Sequence, residues 1–189
     1  MATLRRPAAV LLALVMVALA FAVARTEPQE ETGFAPFAVR VEPGQLGEGR
    51  GLQAGLDRAL LADVVSLDDW TGETTGVWLV AEVRMATTEN PSLAYATLHV
   101  GDRRWLASNR PGLGGMQSGP LDPGLPIAGT FVFEVPAELV DDPAAHHAVL
   151  RLADDGDTRL ITVIEVELDL SALDHEPAHE IAPKERITW

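Results

Sequence analysis

Two stretches of this chain alternate side chains with a period of two, and that period restricts the chain to a β-rich fold. Val77–Met85 and Thr130–Val135 both place apolar residues at every second position. This is the pattern of a strand with one face in a core, so we expect Phe131 and Phe133 to point inward. Pro136 ends the second stretch, because proline has no N–H to donate to a sheet.

The remaining strand candidates are separated by turn residues at intervals of 8–12 positions. Pro123-Gly124 predicts a tight turn with a positive φ at the glycine. Leu52–Leu67 fits both a bent strand and a helix, and the surrounding β pattern favours the strand. The other candidates are Phe37–Val41, Ala94–Val100, Arg104–Ala107, Ala148–Leu152 and Arg159–Leu168. About seven or eight short strands predict an all-β, immunoglobulin-like β-sandwich.

The N-terminus has the pattern of an export signal or a membrane anchor. Arg5 and Arg6 precede an uncharged run, Pro7–Ala24, that ends in small residues. The run is longer than a usual signal-peptide core of about 7–15 residues and slightly shorter than the roughly 20 that span a bilayer. Two interpretations stay open: a retained single-pass transmembrane helix, or a signal peptide cleaved near Ala24. Both place the remaining chain outside the cytoplasm.

Composition divides the chain into four predicted parts. Residues 1–24 are the signal or anchor, and residues 25–36 form a charged, proline-containing linker. Residues 37–170 form the sandwich, and residues 171–189 form an acidic C-terminal tail that contains proline.

Charge and cysteine content exclude several classes of function. The chain has 28 acidic and 14 basic residues, a net charge of −14, which argues against nucleic acid as a partner. It contains no cysteine, so neither a disulfide nor a lipid-bearing cysteine is expected. The membrane contact that we expect is therefore the N-terminal helix.

The segment His175-Glu176-Pro177-Ala178-His179 matches the H-E-x-x-H pattern of zinc proteases. In those enzymes the spacing places two imidazoles on one helix face, with the glutamate as the base. Pro177 disfavours that helix by roughly 3 kcal/mol. A zinc-dependent hydrolase that uses this motif is therefore only the alternative function.

The other polar clusters predict turns and solvated loops. His146-His147 lies beside Asp141-Asp142, but adjacent histidines on extended chain point to opposite sides. Asp154, Asp155 and Asp157 lack the further ligands of a calcium loop. The serines have no nucleophile-elbow context. We expect no catalytic residue, no cofactor and no metal.

Part of the chain, Thr75–Leu152, resembles a known family. The resemblance rests on the strand Val77–Val83, the hairpin Leu98–Trp105, Gly129, and the strand end Phe133–Pro136. They are similar to the telokin-like, immunoglobulin-like domain of unknown function found in exported and membrane-anchored proteins of Gram-positive bacteria. The resemblance implies a β-sandwich, an extracytoplasmic location and no catalytic residues.

The function that these features favour is a binding or supporting role toward another envelope protein, without catalysis. Sandwiches of this kind present loops and sheet edges to partners, which is an argument from the fold alone. The sequence does not indicate a small-molecule ligand.

Overall fold

The computed structural model describes residues 12–19 and 34–189. Residues 12–19 form a helix inside the predicted apolar run, and the rest of that run lies outside the described residues. In those two ranges, no helix combines the length and apolar character needed to cross a membrane. The chain divides into two compact units, Met1–Ala35 and Pro36–Trp189, and every strand within residues 12–19 and 34–189 belongs to the second.

The second unit is a β-sandwich, which confirms the predicted fold class. Eight strands have four or more residues, in agreement with the seven or eight expected: β1 (Phe37–Val41), β3 (Leu52–Leu67), β4 (Trp70–Thr87), β6 (Tyr95–Val100), β7 (Arg103–Leu106), β9 (Ile127–Val135), β10 (Ala148–Ala153) and β11 (Thr162–Leu168). Shorter pairings of two or three residues are β2 (Gly47–Gly49), β5 (Ser92–Leu93), β8 (Pro120–Leu121), β12 (His175–Glu176), β13 (His179–Glu180) and β14 (Glu185–Arg186).

Two sheets form the layers of the sandwich. The five-stranded sheet has the order β1-β11-β10-β6-β7, with β1 parallel to β11 and the other pairs antiparallel. The seven-stranded sheet has the order β12-β3-β4-β9-β14, and β2 and β13 also pair with β3. The strands β5 and β8 form a small separate pair.

The main core lies between the two sheets and contains the side chains that the alternation predicts. Phe131, Phe133 and Val135 of β9 are each at most 1% exposed and belong to this core. The predicted turn before them is also confirmed, since Gly124 has a φ of +71°. Glycine takes this φ without the steric cost that a side chain would add.

A second apolar cluster covers the other face of the seven-stranded sheet. Trp78, Val80 and Val132 point away from the main core, yet each is at most 1% exposed. They pack with residues of β3 and with Ile181. The central strands β4 and β9 are therefore buried on both faces.

Leu52–Leu67 is one long strand, as expected, and it bends. Its register with β4 shifts between Leu56 and Arg58 and again between Ala62 and Val64. Such irregularities bend a strand and increase its twist.

The C-terminal segment is part of the sheet, whereas the sequence predicts a tail at 171–189. β12 and β13 run parallel to β3, and β14 pairs with β9 on the opposite side of the sheet. Ile181, between them, is 2% exposed in the second apolar cluster. Pairings of only two residues, separated by prolines, carry no periodicity, so the sequence pattern does not reveal them.

Candidate functional site

The H-E-x-x-H segment forms strands and turns and not a helix. His175 and Glu176 lie in β12, and His179 lies in β13. His175 Nε2 is 2.8 Å from Asp63 Oδ1, whereas His179 Nδ1 is 2.7 Å from Glu176 Oε2. The two imidazoles therefore contact different carboxylates, and the helical zinc-protease geometry is not formed.

The motif instead holds the C-terminal segment on the bent β3–β4 hairpin. Arg58 donates a 3.0 Å hydrogen bond to Glu176. His179, and then Arg58, hold the pKa of Glu176 below its ordinary value. His179 Nε2 also lies 3.8 Å from Glu82 of β4. The residues of the H-E-x-x-H motif thus attach the C-terminal segment to strands β3 and β4.

His146, Asp169 and Ser171 come together in an arrangement that the sequence does not predict. Ser171 Oγ is 2.6 Å from Asp169 Oδ1, and His146 Nδ1 is 3.2 Å from Ser171 Oγ and 3.1 Å from Asp169 Oδ2. In a catalytic triad the acid and the serine contact different imidazole nitrogens. Here both contact the same nitrogen, so the imidazole cannot relay a proton between them.

Asp169 has a structural role in this group. It caps a short 3-10 turn by accepting the Ser171 backbone N–H at 3.0 Å. The pKa of Asp169 is lowered by the Ser171 hydroxyl and then by His146. An Asp-x-Ser spacing predicts this capping turn. Nothing local in the sequence indicates that His146 joins it.

The adjacent histidines, His146 and His147, contact different carboxylates. His147 Nδ1 is 2.7 Å from Glu167, away from the carboxylate that His146 contacts. Asp142 caps the 3-10 helix Pro143–His147 and pairs with Arg103. The Ala144 N–H, and then Arg103, lower the pKa of Asp142.

The acidic side chains of Asp154, Asp155 and Asp157, considered above as a calcium loop, are governed by local interactions. Arg159 donates to Asp157 and lowers the pKa of that carboxyl to about 2. Burial raises the pKa of Asp154, and the charge of Asp155 adds to this. Within residues 12–19 and 34–189, no three His, Cys, Asp or Glu side chains are arranged to hold a metal ion.

The outer face of the five-stranded sheet carries an ordered row of charges. Arg40, Glu165 and Arg151 lie side by side on β1, β11 and β10. Glu165 accepts from Arg40 Nε at 3.2 Å and from Arg151 Nε at 2.8 Å. Its side chain is only 7% exposed, whereas that of Arg40 is 86% exposed. The buried carboxylate therefore orients an arginine whose terminal nitrogens face solvent.

His99 lies on the same face beside this row. Its pKa is lowered to about 4, first by burial and then by the charges of Arg151 and Arg104. At neutral pH the imidazole is therefore uncharged. Thr97 Oγ1 lies 3.2 Å from its Nε2 atom.

A groove of about 450 Å³ opens next to the charged row. Its lining residues come from β1, the turn after β1, the end of the 3-10 helix Pro143–His147, β10 and β11: Arg40, Val41, Glu42, Gln45, His147, Val149, Glu165 and Glu167. The side chains of His147 and Glu167 are 79% and 65% exposed. We take this face, with its groove, as the candidate binding surface. The sequence places polar residues at outward positions of these strands. The row of Arg40, Glu165 and Arg151, however, forms only because β1, β11 and β10 are neighbours in the sheet.

Comparison with known proteins supports the fold. No protein-family model and no curated protein matches this chain. An uncharacterized β-sandwich protein from Clostridium difficile 630 is similar in structure, with a TM-score of 0.50 and 13% sequence identity. The match covers 75% of this chain and 99% of that protein. The yjhA protein from Bacillus subtilis matches with a TM-score of 0.46 and 14% identity, over 68% and 99% of the two chains.

Proposed function

We propose that this protein is a non-catalytic β-sandwich module that binds or supports another envelope protein outside the cytoplasm. The resemblance to telokin-like, immunoglobulin-like domains of exported proteins supports this location. The N-terminal apolar run supports a membrane tether, or secretion after cleavage near Ala24. The solved β-sandwich structure that resembles this chain supports the fold part of the proposal alone.

The observation that carries the binding role is the difference between the two outer faces. The outer face of the seven-stranded sheet packs against Ile181 and the C-terminal segment. The outer face of the five-stranded sheet presents the exposed Arg40, His147 and Glu167 around a groove. Arg40 is already oriented by Glu165, so less side-chain entropy is lost when a partner contacts it.

Crosslinking from this face tests the proposal. A photoreactive amino acid replaces His147 at the groove, and the matched control replaces Leu113, which is 93% exposed on a loop. We expect a specific membrane or secreted protein to be captured in native cells from position 147 and not from position 113. Capture from neither position, or the same capture from both, would overturn the proposal.

The tether and the absence of catalysis need their own measurements. Retention in membranes after a carbonate wash, with an intact N-terminus, would support the anchor. A soluble form that begins at Arg25 would show cleavage instead. Peptide cleavage by the purified full chain with stoichiometric zinc would support the hydrolase and contradict a non-catalytic module.

A further inference from the structure

A second groove, of about 590 Å³, lies where the two sheets separate beside β7. Its lining residues come from β4, β7, the end of β9 and the turn that follows: Thr74, Thr75, Gly76, Trp105, Glu134, Val135, Pro136, Ala137 and Glu138. β7 is the edge strand of the five-stranded sheet. This edge is opposite to β1, where the first groove lies, and Leu106 of β7 is 64% exposed.

Close packing of the backbone shapes this groove. A Cβ atom on Gly76 would lie 2.0 Å from the carbonyl oxygen of Val135, so only glycine allows β4 this close to β9. Pro136 then ends β9, and the chain enters a 3-10 turn whose Leu139 is buried in the core. Trp105 of β7 packs against the same core from the other sheet and stays partly exposed.

The ionisable lining is acidic. Of the lining residues, all within the described range 34–189, only Glu134 and Glu138 ionise. Glu134 is occupied, because Thr74 Oγ1 donates to it at 2.8 Å and Arg110 at 3.1 Å. Glu138 is exposed and makes no ion pair with any residue in 34–189. Glu138 is therefore the carboxylate that an incoming cation would meet.

Tryptophan in this protein already packs with cationic side chains. The guanidinium of Arg103 lies 5.7 Å from the Trp105 ring centroid, and that of Arg110 lies 5.1 Å from the Trp78 centroid. These distances are within the range of attraction between a cation and an indole ring. Arg103 is also paired with Asp142, so its charge is partly neutralised beside Trp105.

We propose that the Trp105 groove binds a lysine or arginine side chain of an extended segment of the partner protein. The cation would pair with Glu138 and lie against the indole of Trp105. This inference rests on the proposed binding function and names the chemistry of the partner. A protein segment fits better than a glycan, because Glu138 and the Thr75 hydroxyl are the main uncommitted polar groups, too few to orient a sugar.

The indole N–H signals of the full chain in detergent micelles provide a direct test by two-dimensional NMR. The chain has four tryptophans, and the variant Trp105→Phe assigns the signal of Trp105. The probe is a capped pentapeptide of alternating alanine and lysine. The control probe has glutamine in place of lysine. The variants are Glu138→Gln and the matched control Glu48→Gln, an exposed carboxylate on β2.

We expect the lysine peptide to shift the Trp105 signal saturably and the glutamine peptide to leave it in place. Glu138→Gln should weaken binding about two- to fivefold, as for an exposed ion pair, and Glu48→Gln should not. Three results would each overturn the proposal: no shift, an equal shift with both peptides, or a shift only with a chito-oligosaccharide.

Crosslinking from position 147 separates this inference from the proposed function. If that position captures a partner but the lysine peptide does not bind, the function stands and the cation groove is refuted. If the lysine peptide binds as expected but no partner is captured in cells, the groove stands and the partner-binding function fails.

Discussion

Truncation of Phe133 tests whether the core lies where the structure places it. Phe133 is 0% exposed, lies opposite Leu79 in the register of β9 with β4, and belongs to the main core. Phe133→Ala removes a buried ring and leaves a cavity, which costs about 3–5 kcal/mol. Domains have only about 5–15 kcal/mol of stability in total, so this is a large fraction.

The expected change in the thermal midpoint follows from the size of the sandwich. For domains of about 150–250 residues, each kcal/mol shifts the midpoint by roughly 2–4 °C. Phe133→Ala should therefore lower it by about 6–20 °C. Thermal unfolding of the full chain, followed by circular dichroism in the β-sheet region, measures this shift.

Two matched variants complete the experiment. Phe37→Ala removes the same ring from β1, where it is 63% exposed, and should change stability by less than about 0.5 kcal/mol. His175→Ala removes an exposed side-chain hydrogen bond with Asp63 and should cost at most about 1 kcal/mol. Similar small effects from all three variants would refute the assigned core. A larger loss from His175→Ala than from Phe133→Ala would indicate a structural metal site at the chain terminus.

Three further predictions concern close packing, pH and metal. Gly76→Ala should destabilise the fold more than Gly124→Ala. The alanine at position 76 places a Cβ 2.0 Å from a backbone oxygen, whereas the alanine at position 124 adds only the strain of a positive φ, about 1 kcal/mol. The denaturant midpoints of the two variants rank their stabilities, and the reverse order would contradict the close contact between β4 and β9. The pKa of His99 is about 4 when folded and 6.5 ordinarily, so the unfolded state binds more protons between these values and stability falls as pH drops through that window. His99→Gln should remove this part of the loss, and an unchanged slope of the thermal midpoint against pH would argue against a half-buried, neutral imidazole. A chelator should leave the thermal midpoint unchanged, since His175 and His179 contact different carboxylates; a clear decrease would show that a bound metal stabilises the fold.

The main strands could be predicted because their signal is local. Alternation within Val77–Met85 and Thr130–Val135 reports directly which side chains share a face. The prediction that Phe131 and Phe133 point into a core is confirmed. The same alternation did not show that Trp78 and Val132 are buried too, because their cluster is completed by a residue distant in sequence, Ile181.

The candidate surfaces could not be predicted, because they depend on which strands become neighbours. Arg40, Glu165 and Arg151 form a row only in the order β1-β11-β10. Trp105 of β7 and Glu138 of the 3-10 turn after β9 line one groove although they are far apart in sequence. No period or short motif encodes these pairings, since their contacts join residues far apart in sequence.

The sequence by itself determined the fold class, the main strands and the turn at Gly124, since each depends on the preferences of neighbouring residues. Only the tertiary structure decided the role of the H-E-x-x-H segment. Its residues dock the chain terminus on β3 through Asp63 and Arg58, more than one hundred positions earlier. The physical reason is that backbone geometry is largely local, whereas hydrogen-bond and ion-pair partners are selected by the packing of the whole chain.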